Sequence, residues 1–212
     1  MNLAEIGQQS ATNWSTDTDS DDDSDSDSVT VRSDGTIEVE LDDTDVDRAE
    51  NLARQRNQSY QSGATTDDNW AGSKSGGDIH VQGLLAELAM EEVYGVPVDE
   101  SISAAGDGGL DGELEIDGET LTYDIKSSDY DGPGQSLMAK KENVEKRSSH
   151  PDVYVRAYVD VDTGYVEING WIRYEDLVDE SNIKESPASW LDHLNYDVSV
   201  RDLNEPWSPT NR

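Results

Sequence analysis

The sequence predicts a mixed α/β protein that is preceded by a disordered acidic tail. Residues 80–95 place apolar side chains on one helical stripe. Two pairs of alternating runs flank the turn signals Asp117-Gly118 and Thr163-Gly164, which predicts β-hairpins. The first 28 residues hold eight acidic residues and no basic residue, so they cannot bury enough apolar surface to offset the entropy lost on ordering.

The acidity extends over the whole chain. The 212 residues include 15 Lys and Arg against 48 Asp and Glu, which gives a net charge of −33. Without the tail, 40 acidic residues remain. Global acidity, six lysines and no phenylalanine are typical of a cytosolic protein from a salt-accumulating archaeon or its virus. An acidic interaction protein, such as a mimic of DNA, remains an alternative.

Several classes of protein are excluded by composition. The chain has no cysteine, which rules out disulfides, thiolate zinc sites and cysteine nucleophiles. Its N-terminus lacks the basic and apolar regions of a signal peptide, and no run of 18 apolar residues occurs. We therefore expect no membrane partner and a cytoplasmic location, in a haloarchaeal cell or a virus-infected host.

Four segments follow from the patterning: a tail at 1–28, an N-terminal hairpin, helix and loop at 29–77, a core at 78–178, and a C-terminal extension at 179–212. In the second segment, residues 29–41 predict two strands around a two-residue turn at Asp34-Gly35, and residues 45–60 predict a helix. The extension has no readable role.

The core begins with the predicted helix at 80–95, which ends at Gly95 and Pro97. Glu87 lies at the edge of the apolar stripe, where a carboxylate can flank the buried face and reach a neighbouring site. A solvated helix glutamate is the alternative. The stripe contains Val81, Leu84, Leu85, Leu88, Ala89 and Val93.

The register of the second hairpin brings two carboxylates together. Strands at 111–116 and 119–127 joined by a two-residue turn place Ile116 opposite Glu119 and Asp111 opposite Asp124. Side chains that face each other on one surface lie about 4.5–5.5 Å apart at Cβ, so the two carboxylates repel unless a cation lies between them. A divalent ion such as Mg²⁺ meets this need.

Lys126 lies one pleat beyond Asp124 on the same face of the strand. In a chain with six lysines, a lysine beside two carboxylates indicates a chemical role. We expect it to hold or polarise a nucleophilic water and to stabilise negative charge on a phosphate.

Residues 136–148 predict a short helix, and residues 152–161 and 164–172 predict two further strands. Basic residues cluster at 126–156 and at 48–61, which is consistent with phosphate contacts on either side of the site. Lys140 or Lys141 is a hypothetical second phosphate ligand. Surface charges that serve only solubility are the alternative.

A helix glutamate, a Gly-Asp-Gly-Gly-x-Asp turn into a strand, and Asp-x-Lys on the next strand resemble the PD-(D/E)xK nuclease superfamily over about residues 80–175. The resemblance implies that Glu87 is the helix carboxylate, that Asp111 and Asp124 are metal ligands together with Glu87, and that Lys126 is the catalytic lysine. It also implies a restriction-endonuclease-like αβββαβ core with a mixed central sheet. Mg²⁺ or Mn²⁺ would be the cofactor and DNA the substrate, and a homodimer is left open.

The sequence departs from the superfamily pattern at two positions. No proline precedes Asp111, and Asp124 stands where glutamate is commoner. Asp107 competes with Asp111 for the first acidic position, and the hairpin register favours Asp111. The leading hypothesis is a metal-dependent DNA endonuclease. The alternatives are a non-catalytic nuclease-fold protein that binds nucleic acid, and an acidic interaction protein.

Overall fold

The computed structural model describes residues 28–62, 76–100, 110–132, 134–187 and 192–210. The predicted disordered tail falls almost wholly outside these ranges, as does Asp107. Within these ranges, the α-helices are α1 (Asp43–Ser62), α2 (Gly76–Tyr94), α3 (Lys141–Lys146) and α4 (Tyr174–Leu177). The strands are β1 (Val29–Val31), β2 (Ile37–Glu40), β3 (Gly112–Ile116), β4 (Glu119–Ser128), β5 (Ser136–Lys140), β6 (Val153–Asp160), β7 (Tyr165–Arg173), β8 (Ile183–Glu185) and β9 (Leu194–Ser199).

Six strands form the main sheet in the order β1-β2-β7-β6-β4-β3. The β4–β6 pair is parallel, and the other neighbours are antiparallel. A second sheet has the order β5-β9-β8. The prediction of a mixed α/β fold is confirmed. The N-terminal hairpin is part of the main sheet, because β2 pairs with β7.

The main sheet separates two hydrophobic cores. The larger core packs α1 and α2 against one face of the sheet and includes Leu85, Leu114 and Val155. The smaller core lies on the opposite face, where Tyr154 and Ile172 meet the second sheet, α3 and α4. Strand β6 is therefore buried on both faces, which agrees with its nearly continuous apolar sequence.

The first hairpin is confirmed, but its predicted two-residue turn is wrong. Val31 pairs with Ile37, and the Arg32 amide donates to the Thr36 carbonyl at 2.8 Å, so three residues form the loop. Gly35 has φ +83°, the left-handed conformation that a three-residue hairpin loop places at its last residue. Asp34-Gly35 therefore marks a turn correctly but does not define its length.

The second hairpin has the predicted register. Ile116 pairs with Glu119, and the pairing continues to Gly112 and Tyr123. Asp117 and Gly118 have φ values of 54° and 82°, which is the type I′ geometry of a two-residue loop. Leu114 and Leu121 point into the larger core, so the opposite face of this hairpin carries its polar side chains.

The prediction of one helix over residues 136–148 is wrong in its first half. Residues 136–140 form β5, and the helix is limited to α3. Leu137 and Ala139 are buried in the smaller core, and β5 pairs with β9 of the C-terminal extension. The strand is therefore stabilised by a partner more than fifty residues away along the chain. None of the helices in the described ranges is long and apolar enough to cross a membrane.

Candidate functional site

The centre of the site is Asp124 on β4, which is only 1% exposed. Lys126 Nζ contacts one of its carboxylate oxygens, Oδ1. Arg147 Nη1 donates to the other oxygen, Oδ2, at 2.6 Å. A buried carboxylate is stable only if it is paired and hydrogen-bonded, and two cations meet that requirement here.

Asp111 lies beside Asp124, but not as its direct partner across the hairpin. The paired residues end at Gly112 and Tyr123, and the Asp111 amide donates to the Tyr123 carbonyl at 2.9 Å. This bond is shifted by one residue from the hairpin register, so the predicted pairing of Asp111 with Asp124 is wrong. The Asp111 carboxylate instead accepts a hydrogen bond from the Ile125 amide at 2.7 Å.

Negative charge is concentrated around Asp111. Burial of its carboxyl group, and then the charge of Asp124, raise the pKa of Asp111 well above its ordinary value. The charge of Glu87 acts in the same direction, while Lys126 lowers the pKa. The three predicted acidic residues and the predicted lysine are thus close enough to act on one another. They come from α2, from the segment that leads into β3, and from β4.

Glu87 projects from α2, and its side chain is 13% exposed. Arg56 of α1 lies near it, with 3.6 Å between Arg56 Nη1 and Glu87 Oε1. Arg56 Nη2 also donates to the Asp99 carbonyl at 2.5 Å, which holds the guanidinium between α1 and the segment after α2. The alternative of a freely solvated glutamate does not describe this residue.

Lys126 occupies the boundary between the acidic residues and the smaller core. Its side chain is 30% exposed. Its Nζ lies 5.9 Å from the centre of the Tyr154 ring on β6, within the range of a cation–π contact. The ammonium group therefore contacts both this ring and the Asp124 carboxylate.

Arg147 is a component of the site that sequence reasoning did not single out. It directly follows α3, and the charge of Asp124 together with their hydrogen bond outweighs the effect of burial and raises the pKa of the guanidinium. The available signal was the excess of basic residues over 126–156, which does not distinguish Arg147 from its neighbours. Lys141 and Lys146, for example, pair with Glu145 and Glu142 on α3 itself.

The donor chemistry of the site suits a hard divalent cation. Carboxylate oxygens are the ligands that Mg²⁺ and Mn²⁺ prefer, and Asp111 lies close enough to Asp124 and Glu87 for their charges to act on it. Among the described residues, however, no three acidic or histidine side chains are arranged to enclose an ion. Both oxygens of Asp124 contact cationic side chains instead, so an ion at this position would replace at least one of these contacts.

No protein-family model, curated protein or solved structure matches the chain. The functional interpretation therefore depends on the residues and their geometry.

Proposed function

We propose that the protein is a Mg²⁺- or Mn²⁺-dependent endonuclease that hydrolyses phosphodiester bonds in DNA. The observation that carries the proposal is the convergence of Glu87, Asp111, Asp124 and Lys126 from three separate segments of the chain. A surface collection of acidic residues would not place a carboxylate that is 1% exposed between two cations.

Each side chain has a role in this proposal. Asp111 and Asp124, together with Glu87, would hold the ion, which supplies a polarised phosphate and a more acidic bound water. Lys126 positions the attacking water and neutralises charge on the phosphate. Arg147 neutralises Asp124 in the absence of the ion and, when displaced from it, is placed to bind a phosphate oxygen.

We also propose that residues 80–175 contain a restriction-endonuclease-like core. In support, α2, β3, β4, β5, α3 and β6 follow one another in the order αβββαβ. In the parallel pair β4–β6, strand β4 carries Asp124 and Lys126, and strand β6 carries Tyr154 of the smaller core. The departure from a single central sheet is β5, which belongs to the second sheet.

The test is cleavage of supercoiled plasmid in high KCl with Mn²⁺ or Mg²⁺, compared with EDTA and with Asp124→Asn. The proposal predicts cutting that requires the metal and is lost in the variant. If the folded wild-type protein cuts no supercoiled, linear or branched DNA with either metal, the proposal is wrong.

A second function is favoured by the two cations on Asp124. If Arg147 and Lys126 remain on this carboxylate, the protein is a non-catalytic relative that binds nucleic acid. This alternative predicts that DNA binding is equal in Mn²⁺ and in EDTA and that no product forms. The endonuclease proposal predicts tighter binding in Mn²⁺, measured with Lys126→Ala to prevent turnover.

A further inference from the structure

A pocket of about 180 Å³ is lined in part by Lys126, the residue that also contacts Asp124. It opens between β4, β5, β6 and β9, where the main sheet meets the second sheet. Its polar lining includes Lys126, Ser128, Ser136, Lys140, Arg156 and Asn195. This volume is below that of most pockets for drug-sized ligands, so it suits a small chemical group.

The charge of the pocket is opposite to that of the protein. Almost a quarter of the residues in the chain are acidic, yet none of the residues that line the pocket is acidic. All of these lining residues lie within the described ranges. Three of the 15 basic residues lie there. A cationic concavity with hydroxyl and amide groups is suited to an anion.

Arg156 has an unused hydrogen-bonding capacity that points to a ligand. It is 1% exposed, and its Nε donates to the Ser136 carbonyl at 2.9 Å. Its Nη1 is buried and has no hydrogen-bond partner in the described part of the chain. A buried polar group without a partner is costly, so such a group in a folded protein calls for an explanation.

The position of Arg156 beside Lys126 strengthens this argument. The two residues are register partners in the parallel β4–β6 pair. Both side chains line the pocket, so two cations converge on it. Asp124 compensates Lys126. Burial lowers the pKa of Arg156 to about 10, with Glu167 opposing the effect, so the guanidinium still carries its charge at neutral pH.

We propose that this pocket binds a phosphate group of the nucleic-acid substrate, with Arg156 Nη1 and Lys140 as its donors and Lys126 between the phosphate and the acidic site. The identification of the phosphate as part of a nucleic acid rests on the proposed endonuclease function. The anion site itself rests on the pocket and on Arg156.

The first experiment measures thermal unfolding in KCl and EDTA as inorganic phosphate replaces chloride at constant ionic strength. The wild-type midpoint is expected to rise with phosphate, and the midpoint of Arg156→Met is expected to rise less, because only the general stabilising effect of phosphate remains. Arg173→Gln, on the adjacent strand β7 and paired with Glu119, is the matched control and should behave as wild type. Absence of a rise in the wild type, or an equal rise in Arg156→Met, would overturn the proposal.

Lys140→Gln provides a second variant in case Arg156→Met does not fold, because the Lys140 side chain is 27% exposed. It should weaken phosphate binding at least about threefold. The control is Lys184→Gln, which replaces a lysine that pairs with Asp197 in the second sheet. This variant should bind phosphate as the wild type does. Equal phosphate affinity in these two variants would contradict the assignment of Lys140.

The source of the phosphate is tested with DNA duplexes that carry a 5′-phosphate, a 3′-phosphate or neither. Tighter binding of one phosphorylated end, lost in Arg156→Met, identifies a terminal phosphate. Equal binding of all three, weakened in Arg156→Met, identifies an internal phosphodiester. Equal binding by wild type and Arg156→Met for every duplex rejects the pocket as a substrate site.

These measurements separate the two proposals because they use EDTA. Phosphate binding at Arg156 in a protein that never cuts DNA would leave the anion site intact and reject the nuclease. Metal-dependent cutting of DNA, with no effect of Arg156→Met on phosphate binding, would support the nuclease and reject the anion site.

Discussion

Asp111 and Asp124 are neighbours, but their negative charges are neutralised to different extents. Asp124 contacts two cations, whereas the Asp111 carboxylate accepts one backbone hydrogen bond and faces the negative charges of Asp124 and Glu87. Protonation or a bound metal would therefore relieve the charge on Asp111. Sequence reasoning identified both residues but not this difference, because it depends on Arg147 and on the shifted hydrogen bond at Asp111.

The raised pKa of Asp111 makes stability depend on pH. Without divalent ions the folded state holds the Asp111 proton more tightly than the unfolded state, so this group lowers the free energy of unfolding as pH rises from its unfolded to its folded pKa. Asp111→Asn removes this pH-dependent decrease in the free energy of unfolding. We expect the variant to gain stability relative to wild type as pH increases through this window, by about 1.4 kcal/mol for each unit by which the pKa is raised. Urea unfolding in EDTA between about pH 4 and 8 measures it.

The matched control is Asp47→Asn, at an exposed position on α1. A pH-dependent gain as large in this variant would show that the effect is general to the acidic surface. A constant difference between Asp111→Asn and wild type at all pH values would contradict the account.

At the scale of elements, the β3–β4 hairpin delivers Asp124 and Lys126 to the site because its turn fixes its register. This part was predictable from sequence, since Asp117-Gly118 specifies a two-residue loop and the alternation fixes the buried face. The strand β5 was not predictable, because its pairing with β9 is decided by tertiary contacts. The missed Arg147 has the same cause, since it follows α3 and reaches Asp124 only in the folded chain.

The turn can be tested with two glycine substitutions. Gly118 has φ +82° and no atom within 4 Å of an added Cβ, so Gly118→Ala introduces backbone strain without a clash. We expect a loss of about 1 kcal/mol in the free energy of unfolding. Gly83→Ala, also with open space and within α2, should instead stabilise by about 0.5–1 kcal/mol.

Urea unfolding of both variants in the same high-KCl buffer gives the comparison. Opposite signs support the left-handed turn at Gly118. Equal stabilisation by both substitutions would contradict a left-handed conformation at Gly118. The turn would then not set the position of Asp124.

At the level of the whole molecule, a strongly acidic chain brings three of its 15 basic residues together at one place. The chain carries a net charge of −33, while Lys126, Arg147 and Arg156 are gathered where the two sheets meet. Association with DNA would therefore depend on this local surface, on a metal ion and on screening of the remaining repulsion by salt.

Folding stability should depend strongly on salt. Exposed charges interact over about 10 Å at 0.1 M salt and about 3 Å at 1 M, so added KCl screens the self-repulsion of the folded state. We expect the urea midpoint to increase between 0.1 M and 2 M KCl. Sorbitol at matched osmolality is the control. A midpoint that is unchanged by KCl, or that rises equally with sorbitol, would contradict this prediction.

The proposed role of Lys126 in DNA cleavage is tested by single-turnover cleavage of DNA with Lys126→Ala and its control Lys184→Ala. Lys184 lies on β8, is 52% exposed and pairs with Asp197. We expect Lys126→Ala to lower the rate at least about 100-fold, because the substitution removes the group that positions the water and stabilises the phosphate. Lys184→Ala should cut as wild type, and Mn²⁺ should bind both variants. A wild-type cleavage rate in Lys126→Ala would show that Lys126 has no part in the reaction.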